Sequence, residues 1–210
     1  MGGREKPFME LQGVAVLEHA LRPFLEFDQI VAVRIAVSEA TAASPPDWLQ
    51  SLGPRVRLVR GGKTRAESVR NALRALPDDL DVVVVHDAAR PFVTLDLIRR
   101  CLLEAGKGHG AVAALPVVDT IKRVDGSGAV VETVPRTTLY RAQTPQAFPR
   151  ALLVGAYERL DPDATPTDDS SIVELDGGRV VLVEGDPANL KVTTPHDLVL
   201  AAAHLCERER

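Results

Sequence analysis

Charged residues follow closely on a run of four valines near the middle of the chain. The run Val82–Val85 predicts a strand buried on both faces, and His86, Asp87 and Arg90 come after it. Ligands of open α/β sheets bind at the carboxyl ends of the strands, so a carboxylate and a guanidinium here could bind a polar, charged molecule. An ion pair that only stabilises a turn would use the same residues, and this segment alone leaves both interpretations open.

Two adjacent glycines, Gly61 and Gly62, connect a short predicted strand to a predicted helix. Thr64, followed three positions later by Glu67, has the pattern of a capping box at the start of that helix. Glycines let a ligand approach the backbone closely, and a helix N-terminus favours negative charge. Taken alone, the pair is better explained by a turn that needs glycine for its dihedral angles.

The remaining residues alternate predicted strands and helices, an arrangement that would position such loop residues. Apolar spacing predicts helices at Val16–Phe27, Leu95–Glu104 and Ala151–Leu160, with two more that begin after Thr167, as the N-cap, and Thr194. It predicts strands at Ile30–Val37, Val56–Val59, Ala111–Leu115 and Val180–Glu184, and a surface segment with one helical turn at residues 38–54. This order indicates an α/β fold of three layers, α/β/α, around a mostly parallel sheet.

A predicted β-hairpin interrupts the alternation. The β-like runs Thr120–Val124 and Val130–Val134 flank the turn sequence Asp125-Gly126-Ser127-Gly128. We expect this arm, at about residues 117–139, to pack on a second subunit. The sequence therefore predicts a homodimer.

The composition is that of one soluble globular domain over residues 1–210. The chain has 45% apolar and 26% charged residues and a net charge of -4, which argues against a nucleic-acid-coating surface but permits a small basic pocket. No apolar run is long enough to cross a membrane, and Arg4, Glu5 and Lys6 do not fit a secretory signal. The prediction is a cytoplasmic protein that binds neither nucleic acid nor membrane, in which Cys101 and Cys206 have no chemical role.

Three common classes of site lack their motifs. The five histidines do not have the spacing of a helical zinc site, no Gly-x-x-x-x-Gly-Lys-Ser/Thr loop occurs, and no Gly-x-Gly-x-x-Gly opens a helix. Zinc hydrolase, P-loop and dinucleotide-dependent oxidoreductase functions are therefore disfavoured. No residue is predicted to be a metal ligand.

Seven short segments occur in a specific order along the chain. They are Gly61-Gly62 with Arg65 and Ser68, His86-Asp87-Ala88-Ala89-Arg90-Pro91, Asp119-Thr120 with Lys122, Arg136, Thr144-Pro145-Gln146, Thr167-Asp168-Asp169, and Asn189-Leu190-Lys191-Val192-Thr193. In this order they closely resemble the 2-C-methyl-D-erythritol 4-phosphate cytidylyltransferases of the non-mevalonate isoprenoid pathway. The resemblance implies a Rossmann-like nucleotidyltransferase domain over essentially the whole chain.

The resemblance also implies the chemistry and the residues that perform it. In that family an oxygen of methylerythritol phosphate attacks the α-phosphorus of CTP and pyrophosphate leaves, with Mg²⁺ held mainly by the CTP phosphates. In-line transfer of this kind needs positioning and cations rather than a covalent nucleophile. The implied site consists of catalytic Lys6, Arg136 and Lys191, of polyol-phosphate-binding Asp87, Arg90, Thr120, Thr144 and Thr167, and of nucleotide-binding Gly62, Lys63, Ser68 and Ala88. Thr120 and Arg136 lie on the arm and would reach the partner subunit's site.

The start of the chain departs from the family pattern. The family opens with a strand and a loop of the form Ala-Ala-Gly-x-Gly-x-Arg-Met-Gly, and Met1-Gly2 resembles only the end of that loop. Pro7 replaces the usual glutamine, and Lys63 stands where an acidic or amide residue is commoner. We expect about twenty further residues upstream of Met1, forming a strand and a phosphate loop, and weak or no CTP turnover from a chain that begins at Met1.

Two alternative functions stay open. One is cytidylyl transfer to a pentitol phosphate such as ribitol 5-phosphate, because those enzymes share most of these motifs. The other is an inactive, dimerising remnant that has lost nucleotide binding. Turnover of CTP with both alcohol phosphates tests the first, and binding of CTP with magnesium tests the second.

Overall fold

The computed structural model describes residues 6–208. Its strands are β1 (Glu10–Leu11), β2 (Val14–Ala15), β3 (Val33–Val37), β4 (Val56–Arg60), β5 (Val82–Val85), β6 (Gly110–Pro116), β7 (Ile121–Val124), β8 (Val130–Val134), β9 (Tyr140–Pro149) and β10 (Val180–Glu184). Its helices are α1 (Val16–Glu26), α2 (Glu39–Ala43), α3 (Asp47–Gln50), α4 (Arg65–Arg74), α5 (Leu95–Ala105), α6 (Arg150–Arg159), α7 (Asp169–Leu175) and α8 (Pro195–Arg208), with short 3-10 turns at Lys6–Phe8 and Arg136–Thr138.

A four-stranded sheet forms the centre of the molecule, in the order β10-β6-β9-β5. Strands β10 and β6 run parallel, with Val180 opposite Gly110, whereas β9 is antiparallel to both of its neighbours, β6 and β5. A second, parallel pair, β3 and β4, has Val33 opposite Val56. The predicted α/β class is confirmed, and among the described strands the sheet is divided into these two parts.

The central sheet carries helices on both faces. Adjacent residues of a strand point to opposite faces, and on β9 Ala147 packs with Leu97 and Cys101 of α5, whereas Phe148 packs with Leu153 of α6 and Ile172 of α7. Ala147 and Phe148 are both fully buried. These two cores give the predicted order of layers, helix, sheet, helix.

Strand β9 was not predicted from the sequence. Its residues include two prolines and the buried amides Gln143 and Gln146, a composition that does not favour a strand. The amides are satisfied by distant groups, since Gln146 Nε2 donates to Asp168 Oδ2 at 2.7 Å and Gln143 Nε2 donates to the Asp186 carbonyl at 3.0 Å. Pairing with β5 and β6 thus outweighs the local preference.

The segment at residues 38–54 holds two short helices, α2 and α3, rather than the single predicted turn. The Ser38 hydroxyl accepts a hydrogen bond from the Thr41 amide and caps α2. Leu49 of α3 is buried and packs with Leu17 and Ile35. The excursion is therefore anchored to the core by an apolar side chain.

An apolar cavity of about 500 Å³ lies between the central sheet and the β3–β4 pair. Its walls are the edges of β3 and β5, with Leu17, Ala20 and Phe24 of α1 and Val69 and Leu73 of α4 among the lining residues. Within residues 6–208, β3 pairs with β4 alone and β5 with β9 alone, so each strand has an unpaired edge. The cavity therefore has two free strand edges and apolar helix faces.

The predicted arm is formed by β7 and β8, which pair with each other in a sheet of their own. Its turn is closed by Asp125, whose carboxylate accepts from the amides of Ser127 and Ala129. Val130 and Val131 are 60% and 59% exposed on this arm. Among residues 6–208, no helix is both long enough and apolar enough to span a membrane.

Candidate active site

Asp87, just beyond the carboxyl end of β5, is surrounded by three cationic side chains. Lys191 Nζ lies 2.8 Å from Asp87 Oδ2, Arg90 Nε lies 3.6 Å from the same oxygen, and Arg65 Nη2 lies 3.4 Å from Oδ1. The Asp87 side chain is only 14% exposed. Three cations around one carboxylate leave an excess of positive charge that suits a phosphate-bearing ligand.

Burial and charge act in opposite directions on this cluster. Burial alone would raise the pKa of Asp87, but the hydrogen bond and charge of Lys191 and the charges of Arg65 and Arg90 outweigh it and lower that pKa. Burial lowers the pKa of Arg90, against the opposing charge of Asp87. Asp87 is therefore ionised at neutral pH and holds the cations together.

A second carboxylate, that of Asp169, is fully buried behind this cluster. Arg65 Nη2 donates to Asp169 Oδ2 at 2.6 Å, and the Tyr157 hydroxyl donates to Asp169 Oδ1 at 2.6 Å. Burial alone would lower the pKa of Arg65, but the charge and hydrogen bond of Asp169 and the charge of Asp87 raise it. Arg65 thus bridges a buried carboxylate and the carboxylate of the site.

His86 and Thr144 position the backbone of Asp87. The Thr144 hydroxyl accepts from the Asp87 amide at 3.0 Å and lies 3.0 Å from His86 Nδ1, while His86 Nε2 lies 3.1 Å from the Arg90 carbonyl. A carbonyl only accepts, so Nε2 carries the proton and the Thr144 hydroxyl donates to Nδ1. His86 therefore has a structural role, since both of its ring nitrogens bond groups of the protein.

The loop before α8 places Lys191 beside Asp87. Arg90 Nη1 donates to the Asn189 carbonyl at 2.8 Å, and the fully buried Asn189 donates through Nδ2 to the Thr144 carbonyl at 2.8 Å. The Val192 amide donates to the Ala89 carbonyl at 2.8 Å. These bonds connect the loop to the end of β5 on both sides of Lys191.

The glycine turn, Gly61-Gly62, lies at the start of α4, beside the cavity between β3 and β5. The Gly62 amide donates to Ser68 Oγ at 3.0 Å, and a Cβ at Gly62 would lie 2.2 Å from the Cβ of Glu67, so this position requires glycine. The predicted capping box forms only in part. Thr64 accepts from the Glu67 amide, but the Glu67 carboxylate accepts from the Lys63 amide rather than from that of Thr64.

Comparison with known proteins identifies the family. A sequence profile for 2-C-methyl-D-erythritol 4-phosphate cytidylyltransferase (IspD) matches residues 1–207. The chain belongs to this family. The cytidylyltransferase of Halalkalibacterium halodurans is 42% identical over 99% of this chain and 92% of the relative.

Solved structures of the family have the same fold. The 2-C-methyl-D-erythritol 4-phosphate cytidylyltransferase of Thermus thermophilus superposes with a TM-score of 0.83 at 37% identity, covering 96% of this chain and 94% of that one. The 4-diphosphocytidyl-2C-methyl-D-erythritol synthase of Anaerococcus prevotii superposes with a TM-score of 0.88 at 30% identity, covering 98% and 92%. The predicted nucleotidyltransferase fold is confirmed.

The structure brings together most of the site residues that the family resemblance implies. Asp87, Arg90, Thr144 and Lys191 form the cluster described above. Ser68 and Ala88 line the adjacent cavity together with Arg65, and Gly62 and Lys63 form the turn that bonds Ser68 and Glu67. The predicted polyol-phosphate-binding and nucleotide-binding residues thus lie next to each other, beyond the carboxyl ends of β4 and β5.

Thr167 does not cap α7, which corrects the prediction from the sequence. The N-cap is Asp168, whose carboxylate accepts from the Ser171 amide at 2.9 Å and completes a capping box with Ser171. A carboxylate is preferred over a hydroxyl here because it also interacts with the positive end of the helix dipole. Thr167 is exposed one residue earlier, and its predicted role in substrate binding stays a prediction.

Two further predicted residues, both at the arm, are not joined to the cluster among the described residues. Thr120 and Arg136 lie on and beside the arm, where Arg136 Nη1 donates to the Val118 carbonyl at 2.5 Å. Among the described residues, no hydrogen bond or ion pair connects either of them to Asp87 or Lys191. The side chain of Lys6 lies outside the described part of the chain.

Four residues with positions in this network received no role from the sequence. Arg65, Asp169 and Asn189 belong to the segments that carry the family resemblance, but their types alone do not distinguish a site residue from a surface one. Tyr157 lies inside α6 and has no motif around it. The signal that could have drawn attention to Arg65 is its place just after the glycine turn, at the first position of α4.

His86 predicts a loss of stability on mild acidification. Burial lowers its pKa from 6.5 to about 4, against the opposing effects of the Arg90 carbonyl and the charge of Asp87. The folded state therefore favours neutral His86, so its stabilising contribution is complete above pH 6.5 and is lost as the pH falls toward 4. We expect urea midpoints to fall over this range, and His86→Gln to flatten that decline while a matched change at the exposed His196 does not. Equal pH profiles for both variants would contradict the assignment.

Proposed function

We propose that this protein transfers CMP from CTP to 2-C-methyl-D-erythritol 4-phosphate and releases pyrophosphate. The observation that carries the proposal is the position of the Asp87 cluster, with its three cations, directly beside the glycine turn at the start of α4. One part of this site suits a phosphorylated polyol and the other a nucleotide. In a member of this family, the two neighbouring subsites support the family's reaction.

The residues present can perform this reaction by positioning. The Asp87 carboxylate accepts hydrogen bonds from substrate hydroxyls, and Arg90 and Lys191 attract the acceptor's phosphate. Lys191 is half exposed, so it can exchange part of its contact with Asp87 for a phosphate oxygen. The attacking oxygen is then held near the α-phosphorus, and cations offset the charge that develops there, without a covalent intermediate.

Magnesium would enter this site mainly on the CTP phosphates. Both carboxylates of the cluster already bond cations or donors, Asp87 to Lys191 and Asp169 to Arg65 and Tyr157. Within residues 6–208, no group of three or more His, Cys, Asp or Glu side chains could hold a metal ion. The donor set therefore favours an ion coordinated by the nucleotide, where it would neutralise triphosphate charge.

The acceptor decides between this function and its nearest alternative. Pyrophosphate release from CTP should be measured with methylerythritol 4-phosphate and with ribitol 5-phosphate, at equal concentrations and with Mg²⁺ present. A clear preference for methylerythritol phosphate supports the proposal, and a preference for the pentitol phosphate refutes it. CTP that fails to bind in calorimetry would instead favour the inactive remnant.

The arm is proposed to make the functional unit a homodimer in the cytoplasm. Exposed valines on β8 and the lack of a described bond between Arg136 and the Asp87 cluster support a partner that receives the arm. Val131→Asp is expected to convert a dimer into a monomer in sedimentation velocity, because it places a charge in an apolar contact. The matched change Leu103→Asp, on the exposed face of α5, should leave the dimer intact. A monomeric wild-type protein would refute the dimer.

A further inference from the structure

We propose that Asp169 and Tyr157 are positioning residues that act on Asp87 through Arg65. The inference rests on the proposed function, because it concerns how the polyol-phosphate subsite is oriented. The residues involved form a network of side-chain contacts that runs from the core to the site. In order, they are Tyr157, Asp169, Arg65, Asp87 and Lys191.

The inner end of this network, Tyr157 and Asp169, is buried and hydrogen-bonded. Tyr157 is 2% exposed and its hydroxyl donates at 2.6 Å to Asp169, which is fully buried at the first position of α7. A buried carboxylate must bond donors on its oxygens, and here the second donor is Arg65 at 2.6 Å. Burial, followed by the charge and hydrogen bond of Asp169, raises the pKa of Tyr157, so its hydroxyl stays a donor at neutral pH.

The outer end of this network, at Arg65 and Asp87, faces the site. The Arg65 side chain is 37% exposed, and its Nε and Nη2 both lie 3.4 Å from Asp87 Oδ1. Lys191 and Arg90 contact the other oxygen, Oδ2. Arg65 therefore fixes one oxygen of Asp87 and leaves the other for the half-exposed lysine and for ligand hydroxyls.

A guanidinium suits this role because its donors form a rigid fork. Arg65 has five N–H groups and these contacts use Nε and Nη2, so donors remain for an oxygen of a bound phosphate. Without Asp169, Arg65 would lose its short charge-assisted bond and could rotate away from Asp87. The expected consequence is a less well oriented Asp87 and weaker binding of the polyol phosphate.

The experiment compares Asp169→Asn and Tyr157→Phe with Asp176→Asn. The control removes a different bond between the same two helices, since Arg159 of α6 donates to Asp176 at the end of α7 through two bonds of 2.6 Å. We expect Asp169→Asn to raise the KM for methylerythritol phosphate about tenfold, with a smaller rise for Tyr157→Phe and a change of less than about twofold in the KM for CTP. Asp176→Asn should lower Tm and leave both KM values unchanged.

A double-mutant cycle distinguishes positioning from simple support of the fold. If Asp169 acts through Arg65, then Asp169→Asn adds no further rise in KM to an Arg65→Ala protein. Tyr157→Phe keeps the ring in the core and provides the test if Asp169→Asn does not fold. Unchanged KM values in Asp169→Asn and Tyr157→Phe would overturn the inference. Equal rises in the KM for methylerythritol phosphate and for CTP, if Asp176→Asn also produces them, would overturn it as well. In either case an active wild type upholds the proposed function. A wild type that neither binds nor turns over methylerythritol phosphate would refute the proposed function, and the inference with it.

Discussion

Replacing Asp87 by asparagine is expected to lower kcat/KM for methylerythritol phosphate by about 100-fold or more, with the fold retained. The variant keeps the size of the side chain but leaves Lys191, Arg65 and Arg90 without their shared anion. Truncating one partner of a buried, hydrogen-bonded charge pair costs about 2–5 kcal/mol, and about 1.4 kcal/mol corresponds to a factor of ten. The loss should appear in steady-state kinetics with the polyol phosphate varied at saturating CTP.

The matched control for this variant is Asp96→Asn. Asp96 also pairs with an arginine, since Arg100 Nε lies 2.8 Å from its carboxylate, but the Asp96 side chain is 69% exposed on α5. Exposed pairs of this kind contribute about 0–1 kcal/mol, so the control should leave activity and Tm nearly unchanged. An Asp87→Asn protein with wild-type kcat/KM would reject the assignment of Asp87 to the site.

Replacing Phe148 by alanine is expected to lower the free energy of unfolding by about 3–5 kcal/mol. Phe148 is fully buried on β9, where it packs with Val83 of β5 and with Leu153 and Ile172 of the covering helices. Removing the ring leaves a void that these surrounding elements cannot close, because each is held by its own hydrogen bonds. Urea denaturation at neutral pH measures the loss directly.

An exposed leucine provides the control for the core substitution. Leu103 on α5 is 64% exposed, so most of its side chain faces solvent rather than other residues. Leu103→Ala should therefore change the free energy of unfolding by less than about 0.5 kcal/mol. A loss of less than about 1 kcal/mol in Phe148→Ala would contradict the central place of β9 in the core. The same variant should also impair the site, because Thr144 lies on the same strand.

Local sequence patterns determined much of the fold and of the site. The valine run places Asp87 at the end of β5, and the apolar spacing of α1, α4 and α5 identifies helices whose inner faces are buried. These signals work because periodicity and end residues depend on neighbours a few positions away. The family resemblance, carried by segments of the same local kind, is confirmed by the matches over nearly the whole chain.

Tertiary structure alone decided the features that depend on distant partners. Strand β9 is stable although its sequence disfavours a strand, because β5 and β6 pair with it on both sides and its amides bond the α7 cap and the loop after β10. Arg65 and Asp169 are 104 positions apart, and no local pattern could predict that they bond. The sequence thus determined where Asp87 and Lys191 lie along the chain. Packing decided that they meet, and that a buried carboxylate stands behind them, because both outcomes depend on contacts between segments far apart in sequence.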